Sequence, residues 1–164
     1  MKTLCFLLLA ALGAALCGCG SPASLTLTPL GPSPSAARTA DPDGALEVFT
    51  AKRQQNNVGY EFSYNQRTGY EIYDARGARV KTVLNNNEKE FRANAPIPVR
   101  LPPGQYTVKA LAAVGLGEWV SVPVIIKPGQ TTEIHLNGQW RPPADTPASE
   151  VVQSPAGFPL GWRD

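Results

Sequence analysis

The 164-residue chain has little of the chemistry on which metal proteins and many enzymes depend. His135 is its only histidine, and its three cysteines are Cys5, Cys17 and Cys19, so no thiol follows position 19. A structural zinc site usually takes four Cys or His ligands and a catalytic site three protein ligands. We therefore expect no metal, no cofactor and no disulfide in the chain beyond Cys19. His135 is predicted to be a solvent-facing strand residue, opposite in direction to Ile134 and Leu136.

The chain also lacks a charge excess. It has 15 Lys and Arg against 13 Asp and Glu, a net charge of +2 and a pI near 8.5, which gives no electrostatic footprint for nucleic acid. No Gly-x-Ser-x-Gly turn and no Gly-rich phosphate loop is present. Asp74, Glu61, Glu71 and Glu118 are candidates for a glycosidic carboxylate pair, but such residues are common on any domain surface. We predict that the protein is not an enzyme.

One apolar run stands out, at the N-terminus. Leu4 to Leu16 spans 13 residues after the basic start Met1-Lys2-Thr3. It is shorter than the ~20 residues of a membrane-spanning helix. Its length is typical of the apolar region of a secretory signal peptide.

The segment Leu16-Cys17-Gly18-Cys19 resembles a bacterial lipobox, with Leu at −3, a small Gly at −1 and Cys at +1. The resemblance implies a lipoprotein signal peptide over residues 1–18 and lipidation of Cys19. Cys17 is the competing acceptor, although it places the bulky Leu16 at −1, and an ordinary signal peptide or an uncleaved anchor is the other alternative. An acylated Cys19 makes the membrane a partner through the N-terminal lipid. Gly20 replaces the Asp that commonly retains lipoproteins at the inner membrane, which by resemblance favours the outer membrane of a diderm host.

Residues 19–44 are predicted to be a lipidated, disordered tether. The stretch is rich in Pro, Ser, Ala and Thr and contains no aromatic residue, so it has little apolar surface to bury. Asp41-Pro42-Asp43-Gly44 resembles the start of a calcium loop without its later ligands, and a turn into the first strand is the preferred interpretation.

Residues 45–138 are predicted to form one antiparallel β-sandwich of about seven strands. Short β-branched and aromatic segments alternate with turn signals at intervals of about ten residues. Pro123 within the segment Trp119 to Ile126 predicts a bulge or an edge. A turn is expected at Asn65 to Gly69. The predicted strands are 46–50, 60–64, 70–74, 79–84, 97–101, 106–111, 119–126 and 131–136.

Two segments carry a resemblance to a known family. Val99-Arg100-Leu101-Pro102-Pro103-Gly104-Gln105-Tyr106-Thr107-Val108 and Val122 to Thr132 are similar to the carboxypeptidase regulatory-like domains, which are transthyretin-like or prealbumin-like (Ig-like) β-sandwiches. The resemblance implies that fold and a non-catalytic accessory, adhesive or structural role. It implies no functional residue, because the shared positions are turn and core positions.

Tyr60, Phe62 and Tyr64 share one predicted strand face and are the candidate ligand-binding residues. An exposed face predicts a stacking platform for sugar rings, whereas a buried face predicts ordinary core aromatics. In the tail, residues 139–164, two apolar runs around Ser154-Pro155-Ala156-Gly157 predict a small hairpin docked on the sandwich or on a partner.

These features favour a membrane-anchored lipoprotein of the cell envelope with a non-catalytic binding or structural module. The alternative is a carbohydrate-binding module of a surface glycan-handling assembly. An envelope protein or a polysaccharide is the expected partner, and nucleic acid is not.

Overall fold

The structure is a computed structural model that describes residues 27–56, 63–85, 95–113 and 118–164. These residues form one short 3₁₀-helix, Ala148–Glu150, and twelve strands. The strands are β1 Leu30–Gly31, β2 Gly44–Phe49, β3 Lys52–Asn56, β4 Ser63–Arg67, β5 Tyr70–Asp74, β6 Arg79–Val83, β7 Val99–Leu101, β8 Gly104–Leu111, β9 Trp119–Ile126, β10 Thr131–His135, β11 Val151–Gln153 and β12 Pro159–Arg163.

The strands form a large sheet of order β11-β12-β1-β9-β8-β5-β6, a small sheet of order β10-β2-β7, and the two-stranded ribbon β3-β4. The predicted all-β, sandwich-like fold is confirmed. The described segments hold more strands than the expected seven, and two pairings, β1 with β9 and β2 with β10, are parallel rather than antiparallel.

The core lies between the large and small sheets and follows from strand alternation. Leu46 and Val48 of β2 are fully buried, and so is Ile134 of β10. Val108 and Val122 face them from the large sheet with no exposed surface. Successive side chains of a strand point to opposite faces, so this alternation places one face of β2, β10, β8 and β9 inside.

Pro123 lies in an unbroken part of β9. It is opposite Thr107 of β8, and the register between the two strands shows no shift there, so the predicted bulge is absent. On its other side β9 pairs with β1 only at Val124. A proline lacks the N–H that a continuous ladder needs, and this sparsely paired side of β9 resembles the edge at which proline is tolerated.

The first strand, β1, lies before the expected tether boundary at Gly44. Leu30 is fully buried and pairs with Arg163 of β12 and Val124 of β9. Further along, the Thr39 N–H donates to the Gly129 carbonyl at 2.8 Å. The interpretation of residues 27–44 as free tether is wrong, because Leu30 belongs to the core and Leu27 packs against it.

The turn expected at Asn65 to Gly69 is also wrong in extent. Ser63–Arg67 is a strand paired with Lys52–Asn56, and only Thr68 and Gly69 connect it to β5. The Thr50 hydroxyl donates to the Thr68 carbonyl at 2.7 Å, which fixes the connection one residue before the glycine. Cross-strand pairing overrides the turn-forming composition of this polar segment.

The tail forms a hairpin on the large sheet. β11 pairs with β12 around a turn in which the Gly157 N–H donates to the Ser154 carbonyl, and β12 pairs with β1. Val151, Val152 and Leu160 are buried. The C-terminal hairpin is therefore part of the sandwich.

Candidate functional site

The structure describes only part of the predicted site. Cys19, Tyr60 and Phe62 lie outside the described residues, and for Tyr64 the description is limited to its backbone position in β4. Lipidation of Cys19 and ligand binding by Tyr60, Phe62 and Tyr64 therefore stay predictions. Of the neighbouring aromatic residues, Tyr70 lies in the core with 1% of its surface exposed.

The outer face of the small sheet carries a column of planar side chains, which we call the aromatic stack: Arg67, Phe49, His135, Trp140 and Trp162. The His135 ring stacks on Phe49 at a centroid distance of 4.5 Å and on Trp140 at 4.7 Å, with planes 20° and 2° apart. Parallel pairing of β2 with β10 places Phe49 directly beside His135.

The prediction that His135 faces solvent is wrong. Its side chain does point away from the Ile134 side of β10, as alternation requires, but it is 6% exposed. Trp140, five positions further along the chain, folds back over the imidazole. A local strand pattern contains no information about such a cover.

Both ends of the aromatic stack continue to other elements. The Arg67 guanidinium lies 5.0 Å from the Phe49 ring centroid and donates to the Thr50 carbonyl at 3.2 Å. Burial lowers the pKa of Arg67. At the other end, Trp162 of β12 meets Trp140 edge to face at 5.7 Å. The stack thus connects β4, the small sheet and the C-terminal hairpin.

Two carboxylates accompany the stack. His135 Nε2 lies 3.0 Å from Glu133 Oε2, and this hydrogen bond lowers the pKa of Glu133. Glu47 stands directly opposite Glu133 in the parallel register. Burial raises the pKa of Glu47, the negative charge of Glu133 raises it further, and His135 acts in the opposite direction.

The side chains of the aromatic stack pack against one another and join separate elements of the fold. In the part of the chain that the structure describes, no group of three or more His, Cys, Asp or Glu side chains is arranged to hold a metal ion. Each ring of the stack contacts another planar group. We interpret the aromatic stack as the device that fixes the C-terminal segment to the sandwich.

The candidate carboxylates on the large sheet have local partners. Glu71 accepts hydrogen bonds from Tyr73 Oη at 2.6 Å and Arg79 Nη1 at 2.7 Å, and these bonds lower its pKa. Asp74 accepts from the backbone N–H groups of Arg76 and Ala78, both at 2.9 Å, within the β5–β6 turn. Glu118 is exposed beside β9, and Glu61 lies outside the described ranges. The structure places Glu71 and Asp74 in two separate networks.

Residues at the C-terminus contact the segment through which the chain enters the domain. Arg163 Nη1 donates to Thr28 Oγ1 at 3.1 Å, and its Nε donates to the Ser149 carbonyl at 2.7 Å. Lys127 Nζ and Asp164 Oδ1 form an ion pair at 2.7 Å. A groove of about 370 Å³ lies beside these contacts, lined by Leu27, Thr28, Ala148, Val151, Val152, Gln153 and Arg163.

The chain matches no protein-family model, no curated protein and no solved structure at a significant level. The similarity to carboxypeptidase regulatory-like domains is therefore a prediction from the motifs alone.

None of the described segments contains a helix long and apolar enough to cross a membrane.

Proposed function

We propose that this protein is an exported lipoprotein of the cell envelope, acylated on Cys19, and that its β-sandwich is a non-catalytic binding or structural module. The observation that carries the proposal is the distance in sequence between the lipobox and the domain. Cys19 precedes the first strand residue, Leu30, by only eleven positions. Such a connection reaches at most ~40 Å when fully extended, so the domain stays close to the bilayer surface.

The way in which the chain joins the sheet suits an anchored domain. β1 is an interior strand, flanked by β9 and β12, and Leu30 is fully buried. The contacts of Arg163 with Thr28 and Ser149 close the C-terminus over the same point. A pull on the N-terminus therefore acts on the middle of the large sheet rather than on a frayed end.

The proposed role is to hold a protein surface at the membrane. The motif resemblance to carboxypeptidase regulatory-like domains supports a structural, adhesive or accessory task, and Gly20 favours the outer membrane in a diderm host. Two acyl chains or more on Cys19 supply stable anchoring, which a single chain does not.

Cell fractionation tests the anchor. We expect the wild-type chain in the membrane fraction and Cys19→Ser in the soluble or unprocessed material, because the serine cannot form the thioether on which acylation depends. Cys17→Ser, two positions before Cys19, is the matched control and should fractionate like the wild type. A Cys19→Ser variant that stays processed and membrane-bound, with loss of anchoring in Cys17→Ser instead, would overturn the assignment of the acceptor.

A further inference from the structure

One end of the large sheet, which we call the tether end, is where the chain enters the domain. β1 runs parallel to β9 and pairs with it at Val124, so residues 27–29 enter from the side on which β9 begins. β9 begins at Trp119, five residues before Val124 and about 17 Å nearer to that end. The tether end is therefore the end of the large sheet from which the described chain enters, and Cys19 precedes Leu27, the first described residue, by eight positions.

The tether end presents the two most exposed large apolar side chains of the described segments. Leu84 is 72% exposed and Trp119 is 57% exposed. The sheet register brings them to the same row: Val83 pairs with Tyr70, which pairs with Ala110, which pairs with Val120. One residue further toward the tether end, Leu84 and Trp119 are separated by three strand spacings, roughly 14 Å.

Isolated exposed apolar residues are common on protein surfaces, but the position of these two is specific. Leu84 directly follows β6 and Trp119 begins β9, at the end where Leu27 is separated from Cys19 by seven residues, a connection of at most ~29 Å. A tryptophan with one apolar body and one N–H is the side chain best suited to the boundary between lipid headgroups and acyl chains.

We propose that the tether end of the domain rests on the bilayer that holds the Cys19 lipid, with Trp119 and Leu84 inserted at the level of the headgroups. This inference rests on the proposed function, because only an acylated Cys19 brings this end to a membrane. The domain then has a fixed orientation, with the 154–158 turn at the opposite end of the large sheet directed away from the lipid.

Quenching of tryptophan fluorescence by brominated lipid tests the contact. The full lipidated chain is reconstituted into phosphatidylcholine vesicles with ordinary or brominated acyl chains. We expect brominated lipid to remove the emission of Trp119, roughly a third of the total from three tryptophans, and to remove much less from Trp119→Phe. The matched control is Phe158→Trp in the Trp119→Phe background: it moves the reporter to a partly exposed position at the far end, where no quenching is expected.

Intact mass of each sample separates the two levels of the hypothesis. A sample without lipid on Cys19 overturns the proposed function and this inference with it. A lipidated sample in which wild type and Trp119→Phe are quenched equally overturns this inference alone. Emission from Trp119 that is the same in ordinary and brominated lipid but changes with the protein-to-lipid ratio also overturns this inference. It indicates that a second copy of the chain covers this surface.

Discussion

Removal of the Tyr70 hydroxyl should stabilise the protein. Tyr70 is 1% exposed, and within the described chain its Oη has no hydrogen-bond partner. Burial and the negative charge of Glu47 raise the pKa of the phenol, so the group is neutral at any ordinary pH. The hydroxyl has lost its hydrogen bonds to water on folding and has gained none in return.

The magnitude follows from two opposing terms. An unsatisfied buried polar group costs about 1 to 3 kcal/mol. Tyr70→Phe leaves a void of roughly 10 Å³ at about 24 cal/mol per Å³, which costs about 0.2 kcal/mol. We therefore predict a gain of about 1 kcal/mol in the free energy of unfolding, which for a domain of this size raises Tm by about 4 °C.

Thermal unfolding followed by circular dichroism measures the change. Tyr106→Phe is the matched control, since Tyr106 Oη donates to the Pro102 carbonyl at 3.0 Å. It should be neutral or lose up to about 1 kcal/mol. A Tyr70→Phe variant that melts below the wild type would refute the reasoning, because it would mean that the hydroxyl is satisfied.

One substitution tests the small sheet, and one truncation tests the C-terminal segment. Glu47→Gln should raise the free energy of unfolding at pH 7 by ~0.5 kcal/mol, and Tm with it, because it removes one of two like charges that lie directly opposite each other, Glu47 and Glu133. The pKa of Glu47 is raised in the folded state, so the wild type is free of this repulsion below pH 4.5, where Glu47 is protonated, and loses that stability as pH rises. Melting curves at pH 4 should therefore show little difference between Glu47→Gln and the wild type. An equal gain at pH 4 and pH 7 would contradict charge repulsion as the cause. A chain that stops after Gly138 loses the buried side chains of β11 and β12 and should be destabilised by at least about 3 kcal/mol, so an unchanged Tm after that truncation would show that the hairpin is not part of the fold.

Most of the core strands could be predicted from the sequence because each has its own signal. Strict alternation predicts a strand at Tyr106 to Leu111, β-branched content predicts another at Trp119 to Ile126, and both segments are strands. The same reasoning fails for β1 and β3. A two-residue strand has no period, and the polar segment Lys52–Asn56 has no apolar face, so their pairing depends on the partner strands.

The candidate site could also be predicted only in part from the sequence. The direction of His135 follows from alternation with Ile134, which lies on the core side. Its burial depends on Trp140, a residue outside the strand. The T-shaped contact of Trp140 with Trp162 joins positions 22 residues apart, and the predicted hairpin does not place Trp162 beside Trp140. A tertiary cover of this kind leaves no periodic trace in the sequence.

Membrane anchoring through Cys19 is tested most directly by the intact mass of the protein from the membrane fraction, compared with Cys19→Ser. We predict a wild-type mass equal to the chain from Cys19 onward plus two or three acyl chains and a glyceryl group, and no such species in the variant. A soluble wild-type chain without added lipid mass would contradict the anchor, the proximity of the domain to the bilayer and the membrane contact of Trp119 together.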